Sequence, residues 1–196
     1  MKINKLEIKR KLFHLVFGFI IILLLYFNIL NLFIMILMLS CITLLSFLSM
    51  HFNVPIFHIF LKHFDREKDI LKFPARGALF FMLGSTLSIL FFEKDIALAA
   101  IIILSVGDSV SSLVGINYGR TRGFFNSGKF LEGTVASIFC SFLVTLFFVN
   151  IFEAFLASFF AMVFESLELK IWKLQIDDNF SIPLIAGLVI VAIRLI

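Results

Sequence analysis

The sequence predicts an all-α fold, a polytopic integral membrane bundle of about seven transmembrane helices. Hydrophobic residues make up 61% of the 196 positions, and 28 of them are Phe. The mean hydropathy is +1.10, far above the range of soluble domains. Apolar runs recur between charged or turn-forming stretches, and each is near the length that a hydrocarbon core of about 30 Å requires. The whole chain, residues 1–196, is therefore predicted to be one membrane-embedded domain.

Each predicted span is an apolar run that ends at a charge or at a turn-forming residue. Between the second and third spans, the segment Pro55–Lys72 has the pattern of an amphipathic helix that lies at the membrane interface. The last span is short and so is the third, which allows one of them to lie shallow. In chain order the spans are Leu12–Asn28, Leu30–Ser49, Gly77–Phe92, Ile96–Gly115, Gly133–Phe152, Ala154–Leu169 and Ser181–Ile196.

The basic residues predict how these spans are oriented. With seven spans, 15 of the 17 Lys and Arg residues fall on one side, and only Lys94 and Arg194 fall on the other. Positively charged loops stay in the cytoplasm. The sequence therefore predicts a multi-pass protein of the cell membrane, with a cytoplasmic N-terminus and a C-terminus outside.

Asp108 lies within the fourth apolar run, where a carboxylate costs several kcal/mol and usually marks a functional site. On a helix, Asp108, Ser112, Gly115 and Gly119 would share one stripe of small and polar residues. Arg120 follows this stripe, and glycines allow a backbone to approach a phosphate closely. The alternative interpretation is that Asp108 pairs with a Lys or Arg of a neighbouring helix and that the glycines pack helices together.

Acidic residues recur at the predicted cytoplasmic ends of four spans, next to a basic loop. Phosphoryl transfer needs a divalent cation on the phosphate oxygens, further cations to balance charge, and a carboxylate that orients the attacking hydroxyl. Magnesium takes one or two carboxylates together with phosphates and water, and Asp108 with Glu132 or Asp178 could supply them. The acids are Asp108, Glu132, Glu165, Asp177 and Asp178, and the loop carries Arg120, Arg122 and Lys129.

Four short motifs in this order resemble the family of CTP-dependent polyprenol and lipid kinases, which includes dolichol kinase, phytol kinase and the CTP-type diacylglycerol kinase. This family is distantly similar to the phosphatidate cytidylyltransferases. Ser111 stands where the family usually has Ala, and Phe130 stands where it usually has Ser. The motifs are Arg10-Lys11-x-x-His14, Gly107-Asp108 with Gly115 and Gly119, Lys129-x-x-Glu132-Gly133-Thr134, and Asp178-Asn179-x-x-x-Pro183.

The resemblance implies a catalytic domain that uses CTP and a divalent cation, Mg²⁺ or another, and that phosphorylates the hydroxyl of a membrane lipid. The acceptor would be an isoprenoid alcohol, such as a dolichol, polyprenol or phytol, or a diacylglycerol-like lipid. The expected partners are CTP, the lipid alcohol and the bilayer, without nucleic acid, and the oligomeric state stays open between monomer and homodimer. The predicted catalytic residues are Asp108, Glu132 and Asp178, with the metal on Asp108 and Glu132. The predicted nucleotide and phosphate contacts are Arg10, Lys11, Gly115, Gly119, Arg120, Arg122, Lys129 and Asn179.

Two alternatives remain at this point. A cytidylyltransferase would use the same donor to attach CMP to a lipid phosphate. A non-enzymatic transporter or scaffold would use the polar residues to guard a pathway, and its polar groups should extend across the membrane. The centres of the first, second and fifth spans are apolar, which argues against such a pathway.

Overall fold

In the computed structural model, residues 5–52, 54–122, 129–167, 170–171, 174–175 and 177–196 are described. This part of the chain is almost entirely helical, as predicted, with one antiparallel ladder between two strands of two residues. The elements are α1 (Lys5–Tyr26), α2 (Leu32–His51), α3 (Pro55–Phe64), α4 (Glu67–Lys72), α5 (Arg76–Phe91), α6 (Lys94–Ile102), a π-helical segment (Ile103–Asp108), α7 (Ser109–Tyr118), α8 (Leu131–Thr145), α9 (Ile151–Leu167), β1 (Lys170–Ile171), β2 (Leu174–Gln175) and α10 (Asp178–Arg194).

Helices lie at all seven predicted spans, and the largest differences are at the first, where α1 begins already at Lys5, and at the fifth. That span was predicted to reach Phe152, but α8 ends at Thr145. A turn follows, and α9 begins beside a reciprocal capping box. The Asn150 backbone N–H donates to Glu153 Oε2 (3.1 Å), and the Glu153 N–H donates to Asn150 Oδ1 (3.0 Å). α8 and α9 are accordingly short, with 15 and 17 residues.

The interfacial segment Pro55–Lys72 forms two helices, α3 and α4, where the sequence predicts one. Asp65 separates them, because its carboxylate is turned toward backbone outside the helices. It accepts from the N–H of Arg66 (3.1 Å) and from the N–H of Ala75 (2.8 Å). The segment is thereby fastened to the start of α5.

Among the described helices, two are long and apolar enough to cross a membrane: α2 and the continuous helix Lys94–Tyr118. The latter comprises α6, the π-helical segment and α7, and it is called the central helix below. Only 11% of the apolar stretch of α2 is buried, and its exposed residues include Phe33 and Phe47. Soluble proteins rarely expose apolar surface on this scale. These features indicate a membrane protein, while the count of seven spans, the single domain and the orientation stay predictions.

The central helix supplies much of the core, and its buried polar residues begin at Ser105. Four successive apolar side chains, Ile101 to Leu104, are fully buried, whereas Ser105, Asp108 and Ser109 follow as buried polar residues. The π-helical segment ends at Asp108. Such segments insert an extra residue into an α-helix and are frequent at functional sites. The packing partners of this core include Phe81 of α5, Met162 of α9 and Ile182 of α10.

A separate ion cluster closes the opposite end of the bundle. Arg194, the last residue of α10, donates to Glu153 Oε1 (2.8 Å) and to Asp95 Oδ2 (2.6 Å). Lys94 donates to the Tyr26 carbonyl (3.0 Å) and to Asn28 Oδ1 (2.7 Å). The few charges at this end therefore tie helices together.

Candidate active site

Three carboxylates from three helical segments meet in the polar half of the bundle. One oxygen each of Asp108, Glu165 and Asp178 lies within 4.8 Å of the others. Asp108 ends the π-helical segment, Glu165 lies in the last turn of α9, and Asp178 begins α10. Asp108 and Glu165 retain only 4% and 2% of their exposure, so their charges need partners inside the protein. We call these three residues the acid cluster.

Lys11 of α1 supplies the first partner. Its Nζ atom donates to both carboxylate oxygens of Asp108, at 2.7 and 2.6 Å. The Ser109 hydroxyl donates to the Lys11 backbone carbonyl (3.1 Å), which fastens α1 beside the central helix. The pairing of Asp108 with a cation of a neighbouring helix, weighed above as an alternative to a site, is thus present. It does not exclude a site, because Lys11 itself belongs to the resembling motif at the first span.

Lys129, just before α8, supplies the second partner and bridges the other two acids. Its Nζ atom bonds the Glu165 carboxylate and donates to Asp178 Oδ2 (2.9 Å) and to the Glu165 backbone carbonyl (2.9 Å). Burial alone would lower the pKa of Lys129, but the carboxylates of Glu165 and Asp178 outweigh it, and the pKa is raised. Lys129 therefore stays protonated at neutral pH.

The acid cluster lies beside two polar cavities that share Asp108, Asp178, Lys11 and Arg66. The smaller cavity has a volume of about 180 Å³, and the larger one about 360 Å³. Four cations on the smaller cavity suit a phosphate-bearing ligand. They are Arg10, Lys11, Arg66 and Arg76. The larger cavity adds Glu165, Lys129, Ser111, Ser112, Gly115 and Phe130.

Asn179 and Asp177 form the wall of the smaller cavity at the start of α10. Asp177 caps this helix by accepting from the backbone N–H of Asn179 (3.2 Å), and it also accepts from the Asn179 side chain (2.9 Å). Arg76 Nε donates to Asp177 Oδ2 (3.2 Å). At Gly84, an added Cβ would overlap the Asn179 carbonyl oxygen, so glycine allows α5 to approach α10 here. The predicted phosphate contact Asn179 thus lies at the cavity, as a buried residue.

Glu132 lies apart from the acid cluster. Its Oε1 atom accepts from the Thr121 N–H (2.9 Å), and the Leu131 N–H donates to the Thr121 carbonyl (3.0 Å). Glu132 therefore holds the loop that carries Arg120 against the start of α8. Among the described acids, Glu165 joins Asp108 and Asp178 in the place where the sequence predicted Glu132.

The remaining predicted contacts lie on the loop and on its packing surface. Arg120 and Arg122 are exposed, and the Arg122 guanidinium lies 4.6 Å from the centre of the Phe130 ring. A Cβ added at Gly119 would overlap that ring, whereas one at Gly115 would lie 3.5 Å from it in ordinary contact. Gly119 thus serves helix and loop packing, and Gly115 also lines the larger cavity.

Comparison with known proteins finds relatives along most of the chain. It is 30% identical over 189 residues to an uncharacterised protein of Methanocaldococcus jannaschii, covering 94% of this chain and 92% of that protein. It is 27% identical over 225 aligned positions to CTP-dependent diacylglycerol kinase 1 of Saccharomyces cerevisiae, covering 95% of this chain and 73% of that protein. It is 31% identical over 142 residues to probable phytol kinase 1 of Glycine max, covering 63% of this chain and 45% of that protein.

The match thus spans less than half of the soybean protein and about three quarters of the yeast one. No family model matches the chain, and no solved structure matches it significantly.

Proposed function

Since the chain belongs, as a distant member, to the CTP-dependent lipid kinase family, we propose that it transfers the γ-phosphoryl group of CTP to the hydroxyl of a membrane lipid. The acceptor is an isoprenoid alcohol or a diacylglycerol-like lipid. The observation that carries this proposal is the acid cluster with its two lysines, placed beside two polar cavities. Buried carboxylates and cations in this number are costly without a function.

The proposed reaction forms a bond between the acceptor oxygen and the γ-phosphorus and breaks the bond between that phosphorus and the β,γ-bridging oxygen. CDP leaves with the bonding electrons, and the hydroxyl proton passes to a carboxylate. Asp178 suits this last role, because it is the least buried member of the cluster and faces both cavities. Lys11 and Lys129 balance the charge that develops on the phosphate oxygens.

The acid cluster also fits a divalent cation. Its donors are carboxylate oxygens, the ligand type that Mg²⁺ prefers, and Asp108, Glu165 and Asp178 would hold the ion. A bound ion would neutralise charge on the donor phosphates. Lys11 and Lys129 form ion pairs with the same acids. When CTP binds, its phosphate oxygens could pair with both lysines in place of these carboxylates.

Product analysis tests the proposal. The purified chain is incubated with γ-labelled CTP and a panel of lipid alcohols and the corresponding lipid phosphates, and the labelled lipid, the released nucleotide and the released pyrophosphate are measured. We expect phosphorylated lipid and CDP in equal amounts. Release of pyrophosphate with CMP on the lipid would identify a cytidylyltransferase, and absence of turnover with every acceptor would favour the transporter or scaffold alternative.

The cations of the smaller cavity should determine nucleotide affinity. Arg10→Ala and Arg76→Ala should each raise the KM for CTP, because each loses a charge-assisted contact to phosphate of about 1.5–3 kcal/mol, or roughly tenfold to a hundredfold in affinity. Arg120→Ala should have a smaller effect, since Arg120 is exposed. Lys72→Ala, an exposed lysine outside the cavity, is the control. A larger rise in the KM for CTP in Arg120→Ala than in Arg10→Ala would place the triphosphate on the loop that carries Arg120.

A further inference from the structure

We infer that the crevice between α1 and α8 binds the hydrocarbon chain of the acceptor lipid. The lipid hydroxyl would lie at the acid cluster, and the chain would extend along the central helix toward the opposite end of the bundle. This inference rests on the proposed function and adds the position of the lipid chain.

The crevice follows from how three helices are arranged. α1 and α8, both described throughout, each pack against the central helix but not closely against one another. Both helices begin at the polar end of the bundle, where Lys11 reaches Asp108 and Lys129 precedes α8. The floor between them is formed by the central helix. The central helix therefore has cavities on both sides of its contact with α1, one at each end of the pair α1 and α8.

The two ends of this path differ in chemistry. At the polar end lies the larger polar cavity, which has Lys11 of α1 on one wall and Phe130, next to α8, on the other. At the far end lies an apolar groove of about 360 Å³, with Ile102 of the central helix on its floor. One wall is formed by Phe19, Ile22, Leu23 and Tyr26 of α1 with Phe27, and the other by Val144, Phe147 and Phe148. A polar pocket with an apolar groove farther along the same pair of helices suits the two ends of an amphipathic alcohol.

The lengths of the helices fit a long chain. Ile102 precedes Asp108 by six residues, about 9 Å along the helix, and Phe27 follows Lys11 by sixteen residues, about 24 Å. Half of a hydrocarbon core is about 15 Å. A chain that starts at Asp108 and fills the groove would thus pass the bilayer midplane. Short alcohols would occupy the polar end alone and gain nothing from the groove.

A photo-crosslinking experiment tests the position directly and needs no turnover. The probe is a long-chain isoprenoid alcohol with a diazirine at the end remote from the hydroxyl, added to the full chain in lipid nanodiscs. Peptide mapping should place the label on residues 19–27 or 144–148. A label mainly on α2, or one spread evenly over the exposed apolar surface, would overturn the inference.

A matched pair of variants tests the consequence for catalysis. Val144→Phe narrows the groove, and Val135→Phe makes the same change on the opposite face of α8, where Val135 is exposed. Over a series of isoprenoid alcohols, Val144→Phe should raise the KM of the longest acceptors about tenfold, equivalent to losing contact for about two buried methylene groups. The KM for CTP and for the shortest acceptor should not change. An equal loss at every chain length, or the same loss in Val135→Phe, would contradict the assignment.

If no alcohol is phosphorylated but the probe still labels the groove, the proposed function fails and the lipid site stands. If alcohols are phosphorylated but the label lies elsewhere, the proposed function stands and the lipid site fails. The two failures are thus distinguishable.

Discussion

Asp108→Asn should reduce lipid phosphorylation by at least about a hundredfold, the loss typical of removing one electrostatic contact to a transition state. The substitution preserves the volume of the side chain and removes its charge. Asp108 and Asp178 both line the two polar cavities, and Asp108 is the more deeply buried of the two. The measurement is turnover across a magnesium titration.

Asp108→Asn also breaks the ion pair with Lys11, so a second substitution is needed to separate the effect on stability from the effect on activity. Asp108→Asn leaves the ammonium group of Lys11 with a neutral neighbour, and breaking a buried pair costs about 3–5 kcal/mol of folding stability. Lys11→Gln combined with Asp108→Asn removes both charges. The double variant should recover the melting temperature of the unchanged protein but not its activity.

Asp95→Asn is the control, since it also removes a carboxylate from an ion pair, with Arg194, but at the opposite end of the bundle. Its turnover should remain normal. Activity that recovers together with stability in the double variant would show that Asp108 serves packing alone.

Glu165→Gln should raise the magnesium concentration that gives half-maximal activity by about ten- to a hundredfold. Glu165 contributes an oxygen to the acid cluster, whereas a neutral amide is a poorer ligand for a hard cation. Lys129 keeps its pairing with Asp178 in this variant, so the fold should survive. Thermal unfolding in detergent checks the fold, and a magnesium titration checks the site.

Glu132→Gln is the matched comparison, because it makes the same chemical change in the acid that the sequence predicted as a metal ligand. It should leave the magnesium dependence within about threefold of the unchanged protein, a shift of well under 1 kcal/mol, since Glu132 accepts from the Thr121 backbone. If Glu132→Gln shifts the magnesium dependence more than Glu165→Gln, the sequence-based pair of Asp108 and Glu132 is correct.

The helical fold could be predicted because apolar runs of membrane length have few alternatives. Helix ends were less predictable. The stop of α8 at Thr145 depends on a turn within an apolar stretch, and the break at Asp65 depends on a hydrogen bond to Ala75, ten residues later. Neither contact leaves a periodic signal in the sequence.

The acid cluster could be predicted in part. Asp108 was found because an isolated carboxylate in an apolar run is rare, and the same argument applies to Glu165 near the end of α9. Which acids meet depends on how each helix is rotated, and packing decides that. The pairing of Lys11 with Asp108 joins residues 97 positions apart, which no local pattern reveals.

The short helices have a consequence for the bilayer around the protein. α5, α8, α9 and α10 contain 15–17 residues, and such helices rise only about 22–26 Å, less than the hydrocarbon thickness of about 30 Å. If these helices cross the bilayer as the sequence predicts, this hydrophobic mismatch would draw the two leaflets together. Thinning lowers the headgroup layer toward Asp108, so an acceptor hydroxyl could meet the phosphate donor while its chain stays at the depth of the hydrocarbon core. The lipid acceptor could thus react with water-soluble CTP in the thinned bilayer around the protein without leaving the membrane.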